Sequence, residues 1–377
     1  MTMTSEPNNA PSLNGTGRID VARHLIHPRN LRDSLALSRQ PYLRSSLVAG
    51  FQAGLTVAIA LPVVTLSPRA DLIGFAALGA LPALFGRFQP RGGRSLVVVM
   101  AVLLQTLVVL GMSMASLYGA PPSLQILLIS LVCGAIYFVT VTGRFGPPGG
   151  VLFVFACGAA LSPVASGAEV LARVAATGIV GLLAVVICIV TERLRHLPGG
   201  AEYPTEQRRP VGHRVIAALR IVVAAAVTLV VAHALGADHP VWAAMGAMVV
   251  LQGPQLHTNM HRALQRMAGG LVGSAFAWLI LVQEPSLWAT IGTLIALQLA
   301  TELVIGSNYA LGQLFVTPTA LLMSYIALPG ASGAQMAPER VLDTMLGACV
   351  GIVVAVLLSS VEDRHHLVAQ SDKARGA

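Results

Sequence analysis

The sequence predicts an all-α integral membrane protein with about 12 transmembrane helices, arranged as two parallel six-helix repeats. Composition carries the first part of that expectation. Of 377 residues, 55% are hydrophobic and 11% charged, with mean hydropathy +0.74, whereas a soluble domain charges about a quarter of its residues. Gly (37) and Pro (22) are plentiful and aromatics are only 5%. This suits tightly packed, locally broken helices better than an outer-membrane barrel with aromatic girdles. Twelve helices of roughly 20 residues use about 240 positions, close to what the apolar stretches supply.

Each helix is an apolar run bounded by charge, Gly or Pro. The first six are expected at 46–66, after Arg44 and before Pro68; 72–85, between Asp71 and Arg87; 95–117, from Arg94 to Gly119; 124–141, from Pro122 to Arg144; 149–164, after G-P-P-G; and 170–191, between Glu169 and Glu192. Six more follow a polar linker. They are expected at 215–235, up to Gly236; 241–251, between Pro240 and Gly253; 267–282, between Arg266 and Glu284; 287–305, before Gly306; 311–328, across Pro318; and 341–361, between Arg340 and Glu362. The expected organisation is a basic N-terminal segment (1–45), a first repeat (46–192), a linker (193–213), a second repeat (214–361) and a tail (362–377).

Basic loops remain cytoplasmic, so the distribution of Lys and Arg sets the orientation. With the N-terminus inside, 21 of the 24 basic residues fall on the inner side, against Arg69, Arg173 and Arg340 outside. Both termini and the linker are therefore expected in the cytoplasm of a multi-pass protein of the plasma (bacterial inner) membrane. The net charge of +8 reflects this topology rather than a nucleic-acid partner. Cys133, Cys157, Cys188 and Cys349 lie in apolar runs without C-x-x-C pairing and read as reduced core residues. Residues 1–45 lack an apolar core, so no cleavable signal peptide is expected.

The halves resemble one unit written twice. G-F-A-A-L-G-A at Gly74 matches V-W-A-A-M-G-A at Val241, and G-V-L-F-V-F at Gly150 matches G-Q-L-F-V-T at Gly312. Glu169, Gly181 and Glu192 match Glu339, Gly351 and Glu362. Six spans per half give both copies the same direction, with a pseudo-twofold axis along the membrane normal.

Short or broken segments at matching places in two halves point to a transporter's site. One pair starts at Asp71 and His239, the other at Gly146 and Asn308, with Pro318 removing a backbone donor in mid-span. Ionisable residues inside a membrane are functional candidates because they are expensive there. Arg220 is either a carboxylate clamp or a snorkelling cation. His233 is a proton carrier or an interfacial His. Glu302 either loads a proton or pairs with Arg262 or Arg266. Arg173 and Asp343, at equivalent places in the repeat, form a gate or symmetry lock, or snorkel separately. Thr317, Thr319, Gln105 and Gln298 hydrogen-bond a substrate or a neighbouring helix. Three G-x-x-x-G spacings, Gly50/Gly54, Gly269/Gly273 and Gly347/Gly351, permit close helix contacts. No Walker A loop, H-E-x-x-H, C-x-x-C or G-x-S-x-G motif is present, so neither an enzyme nor a cofactor is expected.

The second half carries A-L-R at Ala218, H-P-V-W-A-A at His239, V-V-L-Q at Val249, H-R-A-L-Q-R-M-A-G-G-L-V-G at His261, N-Y-A at Asn308 and F-V-T at Phe315. From Arg214 to Ser324 it resembles the fusaric acid resistance-like (FUSC) family. That family includes bacterial aromatic acid exporters and is related to plant aluminium-activated malate transporters. The resemblance implies a six-helix unit working as a pair and export of small organic anions, often aromatic carboxylates. It assigns recurring roles to Arg220, Trp242 and Arg266, with Asn308 and Thr317 in its later motifs. Two features depart from the family: the large cytoplasmic domain of many relatives has no room here, and Gly270 stands where Thr is common. The expected function is a secondary transporter exporting organic anions, with a passive anion channel and a non-transporting membrane scaffold as alternatives. The expected partners are the anion and the lipid bilayer, in a monomer with an internal pseudo-dimer or a homo-oligomer.

Overall fold

The computed structural model describes residues 43–90, 92–195, 210–252, 256–327 and 333–358, and every regular element among them is helical. The expected tail, most of the linker and most of the N-terminal segment lie outside the described residues, as does the Arg262 side chain. The first half contains α1 (Leu43–Thr65), α2 (Ile73–Ala80), α3 (Gly93–Leu117), α4 (Pro122–Thr142), α5 (Val151–Ala160) and α6 (Gly167–Val190). The second contains α7 (Val211–Ala234), α8 (Pro240–Leu251), α9 (Leu256–Leu281), α10 (Leu287–Val304), α11 (Tyr309–Ala327) and α12 (Gly333–Leu357).

Nine of these helices are long and apolar enough to cross a membrane. Against the expected count of about 12, α2, α5 and α8 are shorter apolar helices. Even with its flanking 3₁₀ turns Ala70–Leu72 and Leu81–Leu84, α2 rises only about 26 Å. Gly and Pro set these limits: Pro82 begins the turn after α2, G-P-P-G-G precedes α5, and His239-Pro240 opens α8.

Two boundaries differ most from expectation. α9 starts at Leu256 rather than 267, and α12 at Gly333 rather than 341. Both starts are polar in sequence, so hydropathy alone ends these helices too early. Pro318 does not break α11. The carbonyl it cannot serve is Leu314 O, which lies where a Cβ on Gly273 would come within 3.1 Å.

Packing within the halves is matched. α1 packs on α2 and α6, α3 on α5 and α6, and α2 on α6; likewise α7 packs on α8 and α12, α9 on α11 and α12, and α8 on α12. Between the halves, α1 packs on α10 and α4 on α7, while the short α2 meets α11 and the short α8 meets α5. All three G-x-x-x-G pairs lie at helix contacts, Gly50/Gly54 against α10, Gly269/Gly273 against α11 and Gly347/Gly351 against α8. A Cβ on Gly347 would meet Ala243 O at 2.1 Å, so α8 and α12 approach at backbone distance.

The outside of the bundle is apolar. Leu96, Leu103, Leu107 and Leu110 face outward on α3, as do Leu171, Ile179, Leu182, Val186 and Ile189 on α6; rows of this kind suit lipid. Cys349 is also exposed, unlike the other three cysteines, which are buried. The expectation of four core cysteines is thus corrected at this position, which points outward from α12.

Loops collect at two ends of the bundle. At one, Gln89 Nε2 donates to Arg144 O and Arg214 donates to Thr142 Oγ1. At the other lie the Arg69–Asp71, Arg173–Glu169 and His239–Glu339 pairs. There the Arg69 guanidinium, bonded to both oxygens of Asp71, holds that exposed carboxyl below its ordinary range.

Candidate functional site

Two groups of buried charge stand out, one in each half. In the first half, Arg94 opens α3 and turns back beneath α2. It donates through Nε to Phe85 O at 3.3 Å, and through Nη2 to Ala83 O at 2.9 Å and Gln52 Oε1 of α1. Carbonyls at the end of a helix lack intrahelical donors, and Arg94 supplies them. Arg195, after α6, donates to Arg87 O at 3.0 Å and Gln89 O at 2.7 Å and pairs with Glu192. Gln52 Nε2 donates to Thr191 Oγ1 at 2.6 Å, joining α1 to the end of α6.

The loop held in this way projects Arg87 across to α10, where it pairs with Glu302; the two side chains are 4% and 2% exposed. Gly50 leaves room for this approach, because a Cβ there would meet Glu302 Cγ at 2.8 Å. Glu302 therefore has a partner, Arg87, that the sequence reading did not consider, while Arg266 bonds Gln313 and the expected Arg262 partner lies outside the described side chains.

The second group lies among α8, α9, α11 and α12. Arg266, 3% exposed, donates to Gln313 Oε1 at 3.3 Å. Arg340, also 3% exposed, stacks on the Trp242 ring at 5.0 Å and lies within electrostatic range of Arg266 and Asp343. Trp242 itself stacks on His239, with ring centroids 4.3 Å apart. Glu339 accepts from His239 N at 2.7 Å and contacts His239 Nδ1 at 2.9 Å, fixing the start of α8 to α12. Among the described residues, Arg340 Nε and Nη1, Arg266 Nε and Asp343 Oδ2 are buried without a hydrogen-bond partner.

The first half contains a counterpart to the Arg340 stack. Arg173 stacks on Phe75 at 4.9 Å. Phe75, Gly79, Arg173 and Thr177 each have a counterpart 167 positions on, in Trp242, Gly246, Arg340 and Thr344. The contacts agree with that register, since a Cβ on Gly79 would meet Thr177 O and one on Gly246 would meet Thr344 O. This corrects the expected equivalence of Arg173 with Asp343. Arg173 bonds Glu169 and two loop carbonyls, whereas Asp343 lies near Arg340, so the two do not form a lock with each other.

The other expected residues divide by position. Trp242 and Arg266 belong to the second group. Arg220 is half-buried on α7 and His233 is exposed near that helix's end. Asn308 Oδ1 accepts from Ala310 N at 2.7 Å and Leu311 N at 3.3 Å, capping α11. Thr317 is buried against the space left by Gly273. Thr319 and Gln298 line a cavity of about 20 Å³ between α1, α2, α10 and α11, close to the size of one water. Gln105 donates weakly to Leu78 O at 3.5 Å.

Sequence reasoning missed Arg340, which falls just before the expected start of its helix, and Arg87 and Arg195, which read as loop charges. Extending the offset of 167 from the α2/α8 match into α6 and α12 would have found Arg340.

Residues 224–354 match the model of a family described as fusaric acid resistance protein-like, from within α7 to near the end of α12. The uncharacterized membrane protein YvaC of Bacillus subtilis (strain 168) is 31% identical over 125 residues, 33% of this chain and 20% of that protein. The chain thus spans about a fifth of the relative's length. No solved structure matches it.

Proposed function

We propose that this chain, whose second half is a fusaric acid resistance protein-like unit, is a secondary transporter exporting small organic anions across the plasma membrane, aromatic carboxylates above all. The observation that carries the reading is the Arg266 and Arg340 pair, buried inside an apolar bundle next to the short helix α8. Cations are expensive at such depth and mark substrate paths. A guanidinium fork also matches a carboxylate. The aromatic preference follows from the family resemblance.

The architecture of this proposal is two six-helix units, each of five long helices and one short one in the second half and four long and two short in the first. Their matched packing supports a pseudo-twofold relation, and the crossed α2–α11 and α8–α5 contacts place the broken helices between the units. Short helices at repeat interfaces are where transporters keep their sites. The inner face is the end carrying Arg87, Arg144, Arg195 and Arg214, which puts both termini in the cytoplasm. Glu302 serves there first as an ion-paired strut, and proton coupling through it would have to release Arg87.

Reconstitution of the full chain in proteoliposomes tests this reading. Flux of a panel of aromatic and dicarboxylic acids is measured with and without a pH gradient. Saturable flux that responds to the gradient is expected. Unsaturable, voltage-driven current without pH coupling would make the protein a channel instead, and absence of anion flux would overturn transport altogether.

A further inference from the structure

We infer that the chain binds one substrate carboxylate, on Arg340 in the second half, and that the matching place in the first half is filled by the chain itself. This rests on reading the protein as an anion transporter and assigns its site and stoichiometry.

The first half shows how such an arginine is satisfied. Arg173 stacks on Phe75 while its Nη1 donates to Ser162 O at 3.0 Å, and its Nη2 donates to Pro163 O at 2.7 Å and Glu169 Oε1 at 2.7 Å. The other Glu169 oxygen accepts from Ala165 N at 3.0 Å, so the carboxylate is fixed in place. The cation is thus complemented by one carboxylate and two carbonyls, all from its own half.

Arg340 keeps the aromatic stack and lacks this complement among the described residues; positions 329 and 330, which match the two loop carbonyls, lie outside them. Four residues before Arg173 stands Glu169; four before Arg340 stands Met336, itself buried. Glu339 is committed to His239 through both oxygens. Asp343, one turn onward, forms no ion pair with Arg340 among the described residues, and its Oδ2 is also unpartnered. Two guanidinium nitrogens of Arg340 therefore face inward without an acceptor, with Arg266 adding a second positive charge nearby. Leaving buried charged donors unbonded is costly, and the acceptor that satisfies the counterpart arginine is a carboxylate. A ligand carboxylate on Arg340 takes the role Glu169 plays on Arg173.

Trp242 lies against Arg340 and reports on the site. The full chain, with Trp278→Phe and Trp288→Phe to remove the other two indoles, is purified in detergent and titrated with benzoate, and with benzamide as its uncharged counterpart. A saturable change in Trp242 fluorescence with benzoate alone is expected, and equilibrium dialysis is expected to count one benzoate per chain. Arg340→Gln weakens binding at least tenfold, Arg340→Lys weakens it less while keeping the charge, and Arg69→Gln, on an exposed arginine, leaves it unchanged. Two sites per chain, an equal response to benzamide, undiminished binding by Arg340→Gln, or no benzoate binding by the unmodified chain would each overturn the inference. Benzoate binding at Arg340 without flux in vesicles would overturn transport and leave the site standing. Flux that survives Arg340→Gln would do the reverse.

Discussion

Arg173 and Arg340 stand 167 positions apart in two halves with corresponding helix contacts, each stacked on an aromatic ring of a short helix. One is bonded to a carboxylate and two carbonyls; the other, among the described residues, has only its ring and the field of nearby charges. One residue that differs between the two places is Glu169 against Met336. Buried guanidinium nitrogens without a partner occur in both halves, at Arg87, Arg94 and Arg195 as well as at Arg266 and Arg340, but those three first-half arginines also bond to carbonyls or carboxylates. The two interfaces between the halves differ in a similar way. At α1–α10 a buried ion pair joins Arg87 to Glu302, whereas at α4–α7 Gly134 admits Val222 and Ala218 O, and Arg214 reaches Thr142.

Breaking the ion-paired interface has the largest expected effect on stability. Glu302→Ala leaves Arg87 buried and alone, at a cost of about 3–5 kcal/mol. Unfolding of the detergent-solubilised chain should show a drop of that size. Replacing both partners, Arg87→Met with Glu302→Leu, should recover most of it, because an apolar pair avoids the desolvation cost. If the double variant is as unstable as the single one, the pair is more than a strut.

The backbone contacts give a smaller and directional test. Gly347 on α12 faces Ala243 O and Gly246, whereas Val180 occupies its matched place on α6 opposite Gly79. Gly347→Ala must push α8 and α12 apart and should cost about 1–3 kcal/mol, read as a lower unfolding midpoint. Glu169→Met, which copies the second half into the first, should cost least. Its pair with Arg173 is of the i, i+4 type and Glu169 is 30% exposed, so a loss within about 1 kcal/mol is expected after solvent screening. A larger loss would mean that Arg173 depends on that carboxylate as its main partner.

Much of this molecule was legible in its apolar runs. Those runs located the twelve α-helices among the described residues, and the short segments at Asp71 and His239 were recognised from their Gly and Pro limits. Helix starts were misplaced where helices open on polar residues. The first turns of α9 and α12 contain His, Arg, Gln and Glu, and hydropathy reads these as loop. The same error hid Arg340, seven residues into α12, among the loop charges. Trp242, Arg266, Asp343 and Glu302 were legible as intramembrane polar or aromatic residues. Their partners were not, because Arg87 reaches Glu302 over 215 positions and no local pattern encodes that approach.

The asymmetry between the halves can be tested by changing a single charge. Met336→Glu places a carboxylate four residues before Arg340, as Glu169 stands before Arg173, and Met336→Gln provides nearly the same shape without the charge. Aromatic carboxylate flux is measured for both variants in proteoliposomes. With Arg340 as the anion site, Met336→Glu is expected to lose flux at least tenfold while Met336→Gln retains most of it. Equal flux through the two variants would contradict the account.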